Sequence, residues 1–95
     1  ESSPNAMSSR VYPNPTHSPS QMQFFTKSKD RYTFRVFDLR GRIVRTITGV
    51  SAEKSQNRLT WDLLDSNGLP CPNGRYILQL VTGDKTYTHK LMISK

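Results

Sequence analysis

The amino-acid sequence predicts an all-β fold, a small antiparallel β-sandwich of immunoglobulin-like character with about seven strands. Three observations favour this fold. Short segments rich in aromatic and β-branched residues recur along the chain, several of them alternate with a period of two, and turn signals separate them roughly every 8 to 15 residues. A chain of 95 residues has room for one such domain, and it contains no apolar run long enough for a transmembrane helix.

Seven segments carry the strand signal: residues 10–12, 22–26, 32–38, 42–48, 59–61, 76–82 and 86–93. The alternation is clearest in the third segment, where Tyr32, Phe34 and Val36 alternate with Thr33 and Arg35. One face of that strand is therefore expected to enter the core.

Turn signals separate the strands. Residues 38–41 (Asp-Leu-Arg-Gly) and 65–68 (Asp-Ser-Asn-Gly) place Asp first and Gly fourth, the preference of a type I turn, and residues 71–74 (Cys-Pro-Asn-Gly) place Pro second and Gly fourth. Gly83 and Asp84 separate two strand segments as a two-residue hairpin loop. Adjacent antiparallel strands are the consequence.

The turn at residues 38–41 also predicts the pairing of its hairpin. With Gly41 in the left-handed position, Asp38 should face Arg42. The further expected pairs are Val36 with Val44, Arg35 with Arg45 and Phe37 beside Ile43. Like charges that face each other across a ladder, such as these two arginines, are unfavourable unless an anion or a carboxylate lies between them. A candidate partner- or anion-contacting patch is therefore formed by Arg35, Phe37, Ile43 and Arg45. The alternative is that both arginines point into water over apolar neighbours.

Basic residues outnumber acidic ones by 14 to 7, giving a formal net charge of +7. Such an excess favours association with anionic surfaces, among them nucleic acid, acidic polysaccharide and lipid headgroups. Nucleic-acid binding is not expected, because the sequence shows neither a recognition helix nor surface aromatics interleaved with basic residues. The alternative is that the charge mainly keeps the domain soluble.

The sequence offers no catalytic, metal or cofactor site. Cys71 is the single cysteine and lies between Pro70 and Pro72, so we expect an unreactive loop thiol and no internal disulfide. His17 and His89 have no cysteine or carboxylate at metal-ligand spacing, and nucleophile-elbow and phosphate-loop patterns are missing. The domain itself is therefore predicted to be non-catalytic, whatever the activity of its parent protein.

The N-terminal residues differ in composition from the rest. Residues 1–9 contain Ser, Pro and Asn with little to bury, which is typical of a linker or cloning remnant, and signal-peptide features are missing. Tyr12-Pro13-Asn14-Pro15 follows, and its two prolines exclude a helix or a central strand. We therefore expect a linker over residues 1–9 and a folded domain over residues 10–95.

Several short motifs occur in a characteristic order: residues 11–16 (Val-Tyr-Pro-Asn-Pro-Thr), 36–44 (Val-Phe-Asp-Leu-Arg-Gly-Arg-Ile-Val), Trp61-Asp62, Asp65, Gly68, Gly74, Tyr76-Ile77-Leu78 and the tail 90–95. In this order and spacing the chain resembles the C-terminal sorting domains (type A) of the type IX secretion system, over about residues 10–95. The portion from Trp61 to Tyr76 is also similar to the Ig-like domain of flagellar hook-capping proteins.

The resemblance implies a secretion address. Such domains lie at the C-terminus of proteins of the Bacteroidota and direct them from the periplasm through an outer-membrane translocon to the cell surface or the medium. A sortase commonly removes the domain and joins the cargo to anionic lipopolysaccharide. The alternative is an uncleaved Ig-like assembly or adhesion module of a secretion-machinery or surface protein, which an exposed edge strand would allow to dimerise.

The resemblance also implies which residues form the address, with translocon and sortase components as partners and no cofactor. A turn, a core position or a final strand explains several of these positions equally well. The implied signal-motif residues are Tyr12, Pro13, Asn14, Pro15, Asp38, Gly41, Arg42, Gly74, Tyr76, Lys90, Leu91 and Lys95.

Overall fold

Two antiparallel sheets form a sandwich in the computed structural model, which describes residues 9–12, 19–26, 29–51, 55–83 and 85–95. The strands are β1 (Ser9–Tyr12), β2 (Ser20–Thr26), β3 (Arg31–Phe37), β4 (Ile43–Val50), β5 (Ser55–Trp61), β6 (Gly74–Thr82) and β7 (Lys85–Ile93). One sheet has the order β1-β2-β5 and the other β4-β3-β6-β7. The predicted all-β sandwich of seven strands is confirmed.

The core lies between the two sheets, because each strand turns alternate side chains inward. Phe34 and Val36 are 1% and 0% exposed, as the alternation in β3 predicts. Phe24 of the smaller sheet meets Tyr32 of the larger one edge to face, with 5.6 Å between ring centroids. The buried apolar residues are Met22, Phe24, Phe34, Val36, Leu59, Trp61, Leu63, Cys71, Tyr76, Leu78, Leu80, Leu91 and Ile93. Among the described residues, none belongs to a helix that is long and apolar enough to cross a membrane.

Two of the three predicted four-residue turns are closed by the expected hydrogen bond, whereas residues 71–74 lead into β6 at Gly74 without one. The Gly41 amide donates to the Asp38 carbonyl at 3.0 Å, and the amide of Gly68 does the same toward Asp65 at 3.0 Å. Both glycines have a positive φ, 82° and 81°, as in a type I turn that is followed by a left-handed residue. The pairing of Thr82 with Lys85 confirms the two-residue loop between β6 and β7.

The predicted register of the β3–β4 hairpin is partly wrong. Phe37 does pair with Ile43, but Val36 pairs with Arg45 rather than Val44, and Arg35 pairs with Thr46 rather than Arg45. The register shifts between Val36 and Phe37, which leaves Val44 as the extra residue of a β-bulge. The two arginines therefore do not oppose each other.

The bulge has a partner outside the hairpin. The Val44 carbonyl accepts hydrogen bonds from the backbone amide and the hydroxyl of Ser66, at 2.9 and 3.3 Å. Ser66 lies 22 residues further along the chain, in the connection between β5 and β6. Val44, which has no partner in the β3–β4 ladder, is thus hydrogen-bonded to a distant loop.

The two sheets also meet at one pair of edges, where β1 approaches β7. Ser9 Oγ and His89 Nε2 share a hydrogen bond across this junction. Burial lowers the pKa of His89 below its ordinary value of 6.5. Neutral His89 is therefore the form that the folded domain favours.

We expect the stability of the domain to fall as His89 becomes protonated. Because its folded-state pKa lies below the unfolded value, the contribution is present above pH 6.5 and is lost as the pH falls through the folded pKa. Thermal unfolding at pH 7.5 and pH 5 measures this, with His89→Gln as the non-titrating control. Native protein should lose more in Tm than the variant, and equal losses would contradict the role of His89.

Candidate functional site

The connections between strands that contain most of the predicted motifs lie at one end of the sandwich. β3 and β6 meet the connections 38–42 and 62–73 there, and β7 ends there at Ile93. In the smaller sheet Tyr12 pairs with Gln21 and the adjacent Ser20 pairs with Trp61, which places the end of β1 on the same side. We call residues 38–42, 62–73 and 94–95 the turn end.

Asp38 organises the first connection of the turn end. Its Oδ1 accepts hydrogen bonds from the backbone amides of Arg40 (2.9 Å) and Arg42 (3.0 Å), while its Oδ2 accepts from Arg42 Nε at 2.9 Å. The hydrogen bond from the Arg42 amide contributes most to lowering the Asp38 pKa below 3.8. The predicted pairing of Asp38 with Arg42 is confirmed, and the Arg42 side chain remains 69% exposed. The turn therefore presents a cation in a fixed position.

We expect Gly41→Ala to lower the free energy of unfolding by about 1–2 kcal/mol, the usual cost of a left-handed non-glycine residue. A Cβ at this position would meet no atom within 4 Å, so the cost comes from the backbone alone. Chemical denaturation measures it. The control is Arg40→Ala, one residue earlier in the turn and exposed. Equal stability of the two variants would show that the turn does not constrain this conformation.

Arg45 fastens the second connection to the larger sheet. Its Nη1 donates to Asp62 Oδ1 at 3.0 Å and to the Leu64 carbonyl at 2.9 Å. Asp62 Oδ1 also accepts from the Leu64 amide at 3.0 Å, which closes a turn around Leu63. Leu63 has a positive φ of 66° and is buried, so its side chain anchors the connection in the core. Arg45 thus lies apart from the predicted outward patch.

Trp61 and Tyr76 form the floor of the turn end. Their rings meet edge to face at 6.0 Å between centroids, and Trp61 Nε1 donates to the Leu64 carbonyl at 3.0 Å. Tyr76 Oη donates to the Pro72 carbonyl at 2.6 Å, and burial raises the pKa of the phenol. Tyr76 is therefore a core residue as well as part of this floor.

The last residues close the turn end on its other side. Lys95 and Asn73 exchange two hydrogen bonds: the Lys95 amide donates to Asn73 Oδ1 at 3.2 Å, and Asn73 Nδ2 donates to the Lys95 carbonyl at 3.4 Å. Just before them, Ile93 pairs with Gly74 and Leu91 pairs with Tyr76. The tail is therefore part of the same surface as the preceding loop.

The surface of the turn end is recessed but not enclosed. An open, shallow recess lies there, lined in part by Asp38, Arg42, Asp65 and Asn73. Cys71 is in a loop, as expected, and is also buried, which raises the pKa of its thiol. Within the part of the chain that the structure describes, no group of three or more His, Cys, Asp or Glu residues could hold a metal ion.

The predicted signal-motif residues do not all lie together. Tyr12 ends β1 and donates to Gln21 at 3.2 Å, while Lys90 lies on the outer surface of β7. Leu91 is buried beside Tyr76. Pro13, Asn14 and Pro15, like His17, lie outside the described residues. The positions that meet at the turn end or at the strand ends bordering it are Asp38, Gly41, Arg42, Gly74, Tyr76 and Lys95.

The predicted patch is divided by the bulge. Arg35, Phe37 and Ile43 share the outer surface of the larger sheet, whereas Arg45 reaches the turn end. The sequence-based prediction missed Asp62, Leu63 and Asn73 as residues that hold this end together. The Asn-Gly pair at residues 73–74 was the available signal, because asparagine before a turn glycine commonly bonds to backbone groups.

Comparison with known proteins agrees with this architecture. A family model described as the secretion system C-terminal sorting domain matches residues 10–94. Among curated proteins, none matches the chain.

Two solved structures from Porphyromonas gingivalis contain the same fold. One is dimeric latent PorU, with a TM-score of 0.77 at 19% identity, covering 90% of this chain and 9% of PorU. The other is PorZ, an essential surface component of the type IX secretion system, with a TM-score of 0.65 at 15% identity, covering 92% of this chain and 11% of PorZ. The chain spans about a tenth of the length of either protein. Because the family match extends over residues 10–94, it confirms the resemblance, and the chain belongs to the family of secretion system C-terminal sorting domains.

Proposed function

We propose that this domain is a folded address for type IX secretion and that the translocon reads its turn end. One observation carries the proposal: residues 38–42, 74–76 and 91–95 are far apart in sequence and meet at one end of the sandwich. A linear signal would be exposed in an unfolded chain as well. An address assembled from three segments exists only when the domain is folded, so it reports successful folding to the exporter.

The path of the chain supports this assignment. The chain enters β1 at Ser9, where Ser9 pairs with Phe24 at the opposite end from Tyr12. A protein joined through the preceding residues would therefore approach from the end opposite the address, and the turn end would stay accessible. The proposed domain spans residues 10–95 and the proposed linker residues 1–9.

β7 offers the translocon a second means of recognition. It pairs with β6 through nine residue pairs, from Gly74 with Ile93 to Thr82 with Lys85, and it is the last strand in the described order of the larger sheet. An edge strand can add to a partner sheet through its backbone while alternate side chains provide specificity. Binding along β7 would bring the partner directly to Lys95.

Further steps of the proposed pathway rest on the family resemblance. The domain passes through the periplasm, carries no catalytic role itself and takes its parent protein to the cell surface or the medium. A sortase then cuts before the domain, within the residues that precede β1, and joins the cargo to anionic lipopolysaccharide.

A second candidate is a retained module. Both similar structures belong to large proteins, one described as dimeric and the other as an essential surface component of the secretion system. In that case this domain stays attached, and its edge strands β4 and β7 provide a surface for assembly or a homodimer. The mass of the exported protein distinguishes the two candidates, because only cleavage removes about 10 kDa.

The test is whether the domain directs the export of an unrelated protein to which it is fused. Residues 1–95 are fused after a folded reporter that carries its own periplasmic signal, in a bacterium with an active type IX system. We expect the reporter in the medium or on the surface, and in the periplasm when the fusion lacks this domain or the strain lacks the translocon. Export without the translocon, or no export with it, would contradict the proposal.

A further inference from the structure

The outer surface of the larger sheet is unusual in its charges and its apolar side chains. Alternation along β4, β3, β6 and β7 turns sixteen side chains outward, and each is partly or fully exposed. We call this surface the outer face: Ile43, Thr46, Thr48 and Val50 of β4, Arg31, Thr33, Arg35 and Phe37 of β3, Arg75, Ile77, Gln79 and Val81 of β6, and Thr86, Thr88, Lys90 and Met92 of β7.

The charges of the outer face have one sign. Arg31, Arg35, Arg75 and Lys90 are cations, and none of the sixteen outward positions in these described strands is Asp or Glu. Asp38 and Asp62, which flank the same sheet, are bonded to Arg42 and Arg45 at the turn end. The sixteen outward positions therefore carry a net positive charge.

Apolar side chains lie among these cations. Ile43, Phe37 and Ile77 form a row across three neighbouring strands, and Ile43 is 53% exposed. Lys90 continues that row on β7, since it pairs with Ile77. Arg35 is two residues from Phe37 on β3, in the middle of the face. Cations and apolar groups are thus interleaved rather than separated into a dry centre and a charged rim.

We propose that the outer face docks on the surface of a bilayer that contains anionic phospholipids. Apolar side chains would enter the headgroup and acyl boundary, while the arginines, long enough to extend past them, contact phosphate. A second copy of this face is disfavoured because cations would meet cations. A protein partner would have to present carboxylates at separate points across the sheet, opposite each of the four cations, whereas an anionic bilayer presents phosphates over its whole surface. The proposal uses a different surface from the turn end and does not depend on it.

Vesicle binding tests this. The native domain is mixed with sedimentable vesicles of phosphatidylcholine containing about one third phosphatidylglycerol, and with phosphatidylcholine alone. We expect binding to the first and little to the second. Each cation near an anionic surface contributes about fivefold in partitioning, so Arg35→Gln with Arg75→Gln should weaken binding by about 25-fold. Ile43→Ser should weaken it several-fold, and high salt should weaken it further.

Matched controls distinguish binding by the outer face from the effects of net charge and of exposed apolar side chains elsewhere. Arg40→Gln with Arg58→Gln removes two exposed cations elsewhere, and Leu69→Ser removes an apolar side chain that is 60% exposed in a loop. Both should bind like the native domain. If thermal melting shows that Arg35→Gln destabilises the domain, the double variant Arg31→Gln with Arg75→Gln replaces the first pair, since both of these residues are exposed.

Three results would overturn the proposal. Equal weakening by the control pair would show that net charge alone drives binding. Displacement of bound protein by soluble glycerol phosphate at matched phosphate concentration would indicate a site for a free anion. Equally strong binding to soluble polyglutamate would indicate an acidic protein as the partner in place of a bilayer.

Discussion

Replacement of Trp61 by alanine is expected to lower the free energy of unfolding by about 3–5 kcal/mol, the usual effect of removing a large buried aromatic side chain. Trp61 is 2% exposed and packs edge to face on Tyr76. A domain of this size is stable by only about 5–14 kcal/mol. The loss would therefore take a large share of its stability and loosen the turn end in particular.

Thermal unfolding measures this effect, and Tm should fall by more than about 12 °C. Trp61→Phe removes the hydrogen bond to the Leu64 carbonyl but keeps an aromatic ring, and should cost less than Trp61→Ala because the ring still fills part of the site and the carbonyl also accepts from Arg45. Leu69→Ala, at a side chain that is 60% exposed, is the surface control and should change stability by less than about 0.5 kcal/mol. A Tm for Trp61→Ala close to that of Leu69→Ala would contradict the packing described.

Removal of residues 91–95 is expected to abolish export of a fused reporter. Leu91 and Ile93 are each 1% exposed and pair with Tyr76 and Gly74. Losing one buried Leu or Ile side chain costs about 2–5 kcal/mol, so the deletion removes most of the stability as well as the address. The reporter itself should stay folded and accumulate in the periplasm. Normal secretion of this truncation would count heavily against the sorting function.

A shorter deletion separates folding from recognition. Ser94 and Lys95 are exposed, and their removal breaks the two hydrogen bonds to Asn73 but leaves the core residues of β7 in place. We expect this variant to melt within a few degrees of the native domain and still lose most of its export. Unchanged export would limit the address to the segments before the tail.

The strands and turns were predictable because local patterns determine them. Alternation in β3 places Phe34 and Val36 in the core, and the Asp-to-Gly spacing places Gly41 and Gly68 at left-handed positions. These features need no knowledge of distant residues. The same is true of the pairing of Asp38 with Arg42 across one turn.

The parts that were not predictable depend on distant contacts. The carbonyl of Val44, the extra residue of the bulge, accepts hydrogen bonds from Ser66, and no pattern within the hairpin reveals that partner. The consequence of the bulge is that Arg45 pairs with Asp62 instead of facing Arg35. Likewise, the convergence of the motif segments depends on the strand order β4-β3-β6-β7, which alternation and turn signals do not specify.

The central claim is that the exporter reads the turn end of a folded domain. The most direct test compares the export of two reporter fusions with equal loss of charge, Arg42→Gln with Lys95→Gln at the turn end and Arg58→Gln with Lys29→Gln away from it. All four side chains belong to exposed residues, so both domains should melt within about 5 °C of the native one. We predict that export of the turn-end variant falls at least tenfold while the control is exported normally. Equal export of the two fusions would contradict the claim.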